Sequence, residues 1–193
     1  MPTLKIFSIY TIKITLADVR PPVWRRVLVP VDLTLHDLHD IIQISMGWHD
    51  CHLYEFNVGE KTYGTPDPEY QEVKVLSDKR IKLSTIHNRG IRHFTYLYDF
   101  GDSWEHKIAI EKTEPAVPDI HYPRCVTGKR RCPPEDIGGS YGYQEFLQAI
   151  STPEHPEHDD YIRWIDEPFD PNQFDQQTVE EKLLEWSTHH YKK

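Results

Sequence analysis

The stretch RHFTYLYDFGDSWEHKIAIE, residues 92–111, decides the reading of the fold. Two runs, 92–100 and 104–111, alternate apolar with polar side chains on either side of Gly101-Asp102-Ser103. That two-residue period marks strands with one buried face, and a Gly-Asp-Ser turn between two such runs predicts a hairpin. Further out, residues 9–17 alternate through Tyr10, Ile12, Ile14 and Leu16, and residues 23–31 resume after the break at Arg20-Pro21-Pro22. These two are expected to pair or to lie side by side. Residues 53–58 read as another strand, followed by a turn-rich acidic stretch over 59–71.

Helical spacing appears first after Thr34, an N-cap residue, where Leu35, Leu38, Ile41, Ile42 and Met46 recur until Gly47 offers a stop. On such a helix His36, His39 and Gln43 are neighbours beside the apolar stripe. A short helix is expected over 83–88, and three more over 143–151, 156–166 and 178–189. Strands followed by helices predict an α+β fold: a mostly antiparallel sheet packed with one central helix, plus C-terminal helices. A single domain over 1–193 is expected, sheet-rich over 5–114, a Pro/Gly-rich loop over 115–142 and helical over 143–190.

Aromatic residues make up 12% of the chain, enough large side chains to build a core, which excludes low-hydrophobicity disorder. No apolar run reaches the length of a membrane span, and Met1-Pro2-Thr3-Leu4-Lys5 lacks a signal-peptide core, so no membrane association and a cytoplasmic location are expected. Three cysteines are too few for a disulfide scaffold and suit a reducing compartment. A net charge of −9 argues against a broad electrostatic grip on nucleic acid. Two local basic patches remain, Arg20 with Arg25 and Arg26, and Lys129-Arg130-Arg131; the same composition also serves an ordinary solvated face.

The densest chemistry lies at the hairpin tip, where Asp99, Asp102, Glu105 and His106 are the candidate catalytic residues. Carboxylates and an imidazole gathered by a turn can hold a metal such as Zn or Mn, or exchange protons. Turn chemistry is the alternative, because Asp residues bond nearby backbone amides and strand parity splits neighbours between faces. His52 follows the helix in Trp48-His49-Asp50-Cys51-His52 and is a further candidate ligand with His106 and Asp102. Cys125 and Cys132 are candidate ligands too, but six residues separate them, wider than a zinc knuckle, and His121 would be needed to help close a site. Candidate binding residues are Arg25, Arg26, His39, Gln43, Trp48 and Trp104. Neither a Gly-x-x-x-x-Gly-Lys phosphate loop nor a Gly-x-Gly-x-x-Gly motif occurs, which disfavours an NTPase and a dinucleotide oxidoreductase.

Taken together, these segments resemble the plasmid pRiA4b ORF-3-like proteins, a family that also goes by the name of the TnpR passengers of an insertion element. The resemblance runs from Ile14-Thr15-Leu16 through Pro22-Val23-Trp24-Arg25-Arg26-Val27 and Thr34-Leu35-His36-Asp37-Leu38-His39 to Met46-Gly47-Trp48 and His52-Leu53-Tyr54. It continues in residues 98–106, in Cys132-Pro133-Pro134-Glu135-Asp136 with Gly138-Gly139, and in Phe169-Asp170-Pro171. It implies a compact α+β fold covering nearly the whole chain and no assigned activity. Family members often carry a third cysteine where Ile137 stands here. The TnpR label implies a resolvase, yet no arginine-rich catalytic face and no basic helix-turn-helix tail follow Ser8. The leading expectation is a non-catalytic binding or accessory module of mobile elements or plasmids, meeting a protein or nucleic-acid partner through a basic or aromatic patch. The alternative is a metal-dependent hydrolase acting on a phosphoester or nucleic acid, with Arg25 or Arg26 clamping phosphate. The composition allows a homodimer without requiring one.

Overall fold

The structure is a computed structural model that describes residues 8–65, 74–165 and 167–191. Its strands are β1 (Ser8–Leu16), β2 (Trp24–Pro30), β3 (Tyr54–Val58), β4 (Lys61–Gly64), β5 (Val75–Ser77), β6 (His93–Tyr98), β7 (Trp104–Pro115) and β8 (Arg124–Lys129). They form one sheet in the order β5-β4-β3-β6-β7-β1-β2-β8, antiparallel throughout except where β4 meets β5. The helices are α1 (Leu35–Met46), α2 (Leu83–Asn88), α3 (Gly139–Ser151), α4 (His158–Trp164) and α5 (Gln176–His190). This is the α+β arrangement that the alternation implied, with helices gathered toward the C-terminal end of the chain.

Strand parity builds the core. Ile12, Ile14, Val27, Val29, Phe94, Tyr96, Ile108 and Ile110 are all buried, and α1 lies over them with Leu35, Leu38, Ile41 and Ile42. Each aliphatic side chain taken fully out of water contributes about 2 kcal/mol. The other parity carries Lys13, Trp24, Arg26 and Glu111, where Arg26 pairs with Glu111 at 2.7 Å and both cations sit over the Trp24 ring. Helix α1 begins in a capping box: Thr34 accepts from the Asp37 amide while the Asp37 carboxylate takes the Thr34 amide. It ends at Gly47, whose φ of 89° closes the last turn in the left-handed region.

Helix α5 covers the β8 edge, where Glu180 takes Arg124 and the Cys125 amide and Gln176 donates to the Cys125 carbonyl. Its far end reaches α1, since Trp186 Nε1 donates to Asp40 at 2.9 Å. Tyr143 and Phe146 of α3 pack with Tyr161, Trp164 and Phe169 into an aromatic satellite of the core.

Three expectations need correction. The Pro/Gly-rich segment 115–142 contains β8 and the first turns of α3; Arg-Cys-Val-Thr-Gly-Lys carries no clean alternation, and it becomes a strand only by pairing with β2. The stretch 59–71 holds β4, with its residues 66–71 outside the described residues. The helix placed over 156–166 is shorter, because an acidic turn precedes His158 and the chain leaves the helix after Trp164.

Candidate functional site

Three segments meet beyond one end of the sheet: residues 47–53 after α1, the turn 99–103 between β6 and β7, and residues 130–139 between β8 and α3. Trp48 joins the first to the third by donating from Nε1 to the Pro133 carbonyl at 2.9 Å, and its ring stacks on Tyr98. Glu135 ties all three, accepting from the Tyr98 hydroxyl at 2.6 Å and from the His49 amide at 3.2 Å. Gly138 donates to Asp102 at 3.1 Å, and a Cβ on Gly139 would stand 2.6 Å from the Asp102 carbonyl, so only glycine lets the two backbones approach. Asp50, Asp99, Ser103 and Asp136 all hold positive φ, a concentration of costly backbone in these same segments.

Within this junction His52, Asp99 and Asp136 present ligand atoms all within 4.8 Å of one another. His52 Nε2 stands 3.2 Å from Asp136 Oδ1 and 3.6 Å from Asp99 Oδ2, and neither approach has hydrogen-bond alignment, so the nitrogen is shielded from solvent without a partner. Asp99 spends Oδ1 on the amides of Gly101 and Asp102 and turns Oδ2 toward the imidazole. Cys51, His52 and Glu135 form a second grouping of the same tightness. An imidazole with carboxylates suits a borderline divalent cation such as zinc or manganese.

A cavity of 710 Å³ adjoins this junction and shares Trp48, His49 and Glu135 with it. Arg25 lines the cavity from an inward position of β2, on the face of Val27 and Val29, and is 2% exposed. Its Nε donates to the Ser45 carbonyl at 2.8 Å, and Nη1 donates to the carbonyls of Trp24 and Lys129 at 2.9 and 3.0 Å. Among the described residues, Nη2 meets no acceptor and no carboxylate lies within ion-pair distance. Phe174 lies over the guanidinium at 4.0 Å, in space that exists because Gly128 has no side chain: a Cβ there would meet Phe174 at 2.7 Å and Arg25 at 2.9 Å. Burial lowers the basicity of Arg25, yet a guanidinium remains charged. The cavity carboxylates are committed elsewhere: Glu167 to Arg131, Asp175 to capping α5, Glu135 to Tyr98 and His49.

The other residues singled out in the sequence are dispersed. His106 is fully buried beside Trp48 and Tyr96, and burial pushes its pKa down to about 4. Asp102 is held by Gly138, and Glu105 is exposed on the far parity of β7. His39 and Gln43 are buried against β6: His39 reaches the Tyr96 hydroxyl at 2.7 Å and Asp50 at 2.8 Å, and Gln43 donates to the same hydroxyl. Trp104 is core, whereas Trp48 borders the cavity. Arg25 and Arg26 point to opposite faces, so they do not form one patch. Arg131 pairs with Glu167 over Phe169, and Arg130 bonds Asn172. Cys125 and Cys132 flank Arg25 as buried thiols that burial raises to about 11 and about 12; neither joins a grouping of three ligand atoms among the described residues.

Residues 8–178 match the family described as plasmid pRiA4b ORF-3-like protein. The chain belongs to that family. The chain is 42% identical over 159 residues to a protein of Sinorhizobium fredii (strain NBRC 101917 / NGR234) named uncharacterized protein y4hQ, covering 82% of this chain and 81% of that one. A crystal structure of a protein of unknown function, MM3350 from Methanosarcina mazei Go1, superposes with a TM-score of 0.84 at 36% identity, over 91% of this chain and 98% of that one.

In this pRiA4b ORF-3-like chain one signal is invisible in local sequence, and a second, a Gly-x-Ser-x-Gly spacing, is present where none is expected. Glu135 and Asp136 stand out in sequence only as part of the Cys132–Asp136 motif, and nothing local says that residues more than 80 positions beyond His52 meet it. Gly138-Gly139-Ser140-Tyr141-Gly142 has the spacing of a nucleophile elbow. It lacks the strand-turn-helix setting, since β8 ends at Lys129, and Ser140 has no hydrogen bond to a histidine among the described residues. Its glycines serve close approach: a Cβ on Gly142 would stand 1.9 Å from the Ile137 carbonyl.

Proposed function

We propose that this chain is a binding module that takes an anionic group of its partner, a carboxylate or a phosphate, into the cavity beside Arg25, and that it serves plasmids or other mobile elements as an accessory protein. The observation that carries this reading is the Arg25 guanidinium, buried at the cavity wall with Nη2 unpartnered. Three carbonyls accept from it but no opposite charge faces it among the described residues, and burying a cation without a counter-charge is costly. An anion in the cavity supplies that charge, and Lys182 lines the same space. Trp48, Phe169 and Phe174 provide apolar walls, and Leu53, Phe100 and Tyr141 are exposed near the junction, which suits contact with a larger partner.

Binding is favoured over hydrolysis because, of the residues that the hydrolase reading places at a metal, Asp102 and His106 are held in separate roles by Gly138 and by the core and His39 is engaged by Tyr96 and Asp50, which leaves only Asp99 and His52 together. The plasmid association follows the family's name. Calorimetric titration and thermal unfolding of the full chain with inorganic phosphate and with succinate test the reading. Saturable binding that raises the unfolding midpoint and weakens severalfold in Lys182→Ala is expected, with Arg26→Ala unchanged. If neither anion binds at millimolar concentration, or if Lys182→Ala binds as the wild type does, the cavity is not an anion site.

A further inference from the structure

We infer that His52, Asp99 and Asp136 form a binding site for one divalent first-row transition cation, adjoining the cavity but independent of what fills it. The three side chains come from three different segments, after α1, after β6 and after β8, and converge to within 4.8 Å at their ligand atoms. Separations of 3.2 and 3.6 Å between a nitrogen and two carboxylate oxygens fit ligands sharing a cation, because bonds of about 2.1 Å at tetrahedral or octahedral angles place neighbouring donors about 3 Å apart.

One orphaned nitrogen points to a missing ligand, and the orientation of Asp99 agrees with it. The Nε2 atom of His52 is shielded from solvent and has no hydrogen-bond partner among the described residues. The Asp99 side chain is nine-tenths buried, and while its Oδ1 accepts two amides, its Oδ2 faces His52 with no donor of its own among the described residues. The Asp99 carboxylate faces an imidazole nitrogen that is shielded from solvent without a hydrogen bond, and native interiors avoid leaving such a nitrogen unsatisfied. A cation between them satisfies both. Asp136, with 70% of its side chain exposed, completes the set from the solvent side and leaves positions for water.

The site is assigned to these three rather than to Cys51, His52 and Glu135 because both Glu135 oxygens are already engaged, by Tyr98 and by the His49 amide. Imidazole with two carboxylates favours zinc, manganese or cobalt over calcium and magnesium, which prefer oxygen alone.

The test uses the full chain freed of metal with a chelator, then titrated with Zn²⁺ by calorimetry and with Co²⁺ by visible absorption. One equivalent per chain, a raised unfolding midpoint and a Co²⁺ spectrum that changes in His52→Ala are expected. Asp136→Asn, an exposed and sterically neutral change, is expected to weaken Zn²⁺ at least tenfold with an unchanged circular dichroism spectrum. Should His52→Ala fail to fold, Asp136→Asn decides alone. His189→Ala with His190→Ala is expected to bind as the wild type does, since that pair lies at the end of α5. Binding that survives Asp136→Asn, or that vanishes only with the terminal histidine pair, overturns the assignment, as does the absence of stoichiometric uptake.

Discussion

Two polar regions lie side by side in this molecule and use nearly the same residue types, yet they end in opposite states. Between α1 and β6, His39, Gln43, Tyr96 and Asp50 close on themselves. The His39 ring donates to Asp50 and accepts the Tyr96 hydroxyl, that hydroxyl accepts from Gln43, and Gln43 in turn takes the Asp50 amide. Tyr54 stacks on His39 at 3.5 Å and donates to Asp78, so the neighbouring ring is tied down as well. At the three-segment junction and the cavity beside it, His52 Nε2, Asp99 Oδ2 and Arg25 Nη2 have no hydrogen-bond partners among the described residues. A satisfied network in a low-dielectric interior fixes packing, whereas unsatisfied groups facing one another or a cavity mark the place where something else binds. The two regions therefore differ in how far their polar groups are satisfied rather than in residue type.

The steepest change in stability is expected with pH. His106 is neutral in the folded state, with a pKa near 4 against an ordinary 6.5, so between those values the unfolded chain binds the extra proton. Stability is complete above pH 6.5 and falls as the pH drops toward 4, by about 3 kcal/mol from this group. His39, also lowered by burial, acts in the same direction. Urea unfolding at pH 7 and pH 4.5 is expected to show the loss, and His106→Leu is expected to reduce it. A variant with the wild-type pH dependence would mean that His106 is not the buried neutral imidazole described.

A smaller effect belongs to the closed network. Tyr96→Phe leaves His39 Nδ1 and Gln43 Nε2 unpartnered and is expected to cost about 2 kcal/mol in denaturant unfolding while leaving zinc and phosphate binding intact. If ligand binding falls instead, the two regions are one functional unit. Asp50→Ala, at the half-exposed end of the same network, is expected to cost about 1 kcal/mol by the same measurement. The smallest stability change is expected at the open region: Lys182→Ala should move the unfolding free energy by less than about 0.5 kcal/mol while weakening phosphate binding severalfold. Equal losses of stability in all three variants would erase the contrast.

Much of the scaffold is legible in sequence. Alternation places β1, β2, β6 and β7 within a few residues, and Thr34 and Gly47 delimit α1 where the capping box and left-handed turn appear. Strand β8 is not legible, because Cys125, Val126 and Gly128 give no period and the pairing with β2 makes the strand. The site is half legible. His52, Asp99 and Arg25 stand out by type, but their company does not: sequence proximity links Asp99 to His106 and Arg25 to Arg26, and the fold links Asp99 to His52 and separates the two arginines.

Local interactions suffice for what the sequence determines by itself. Period, capping and turn chemistry act over a few residues, so the strands of the hairpin, helix α1 and the α+β class follow from nearest neighbours. Only tertiary structure decides which polar groups are satisfied. Partners for His39 come from Asp50 and from Tyr96, 57 residues on, while the carboxylate opposite His52 belongs to Asp136 on the far side of β8. Hydrogen bonds and burial act between groups brought together by packing, and no local pattern records whether such a group is met or left open.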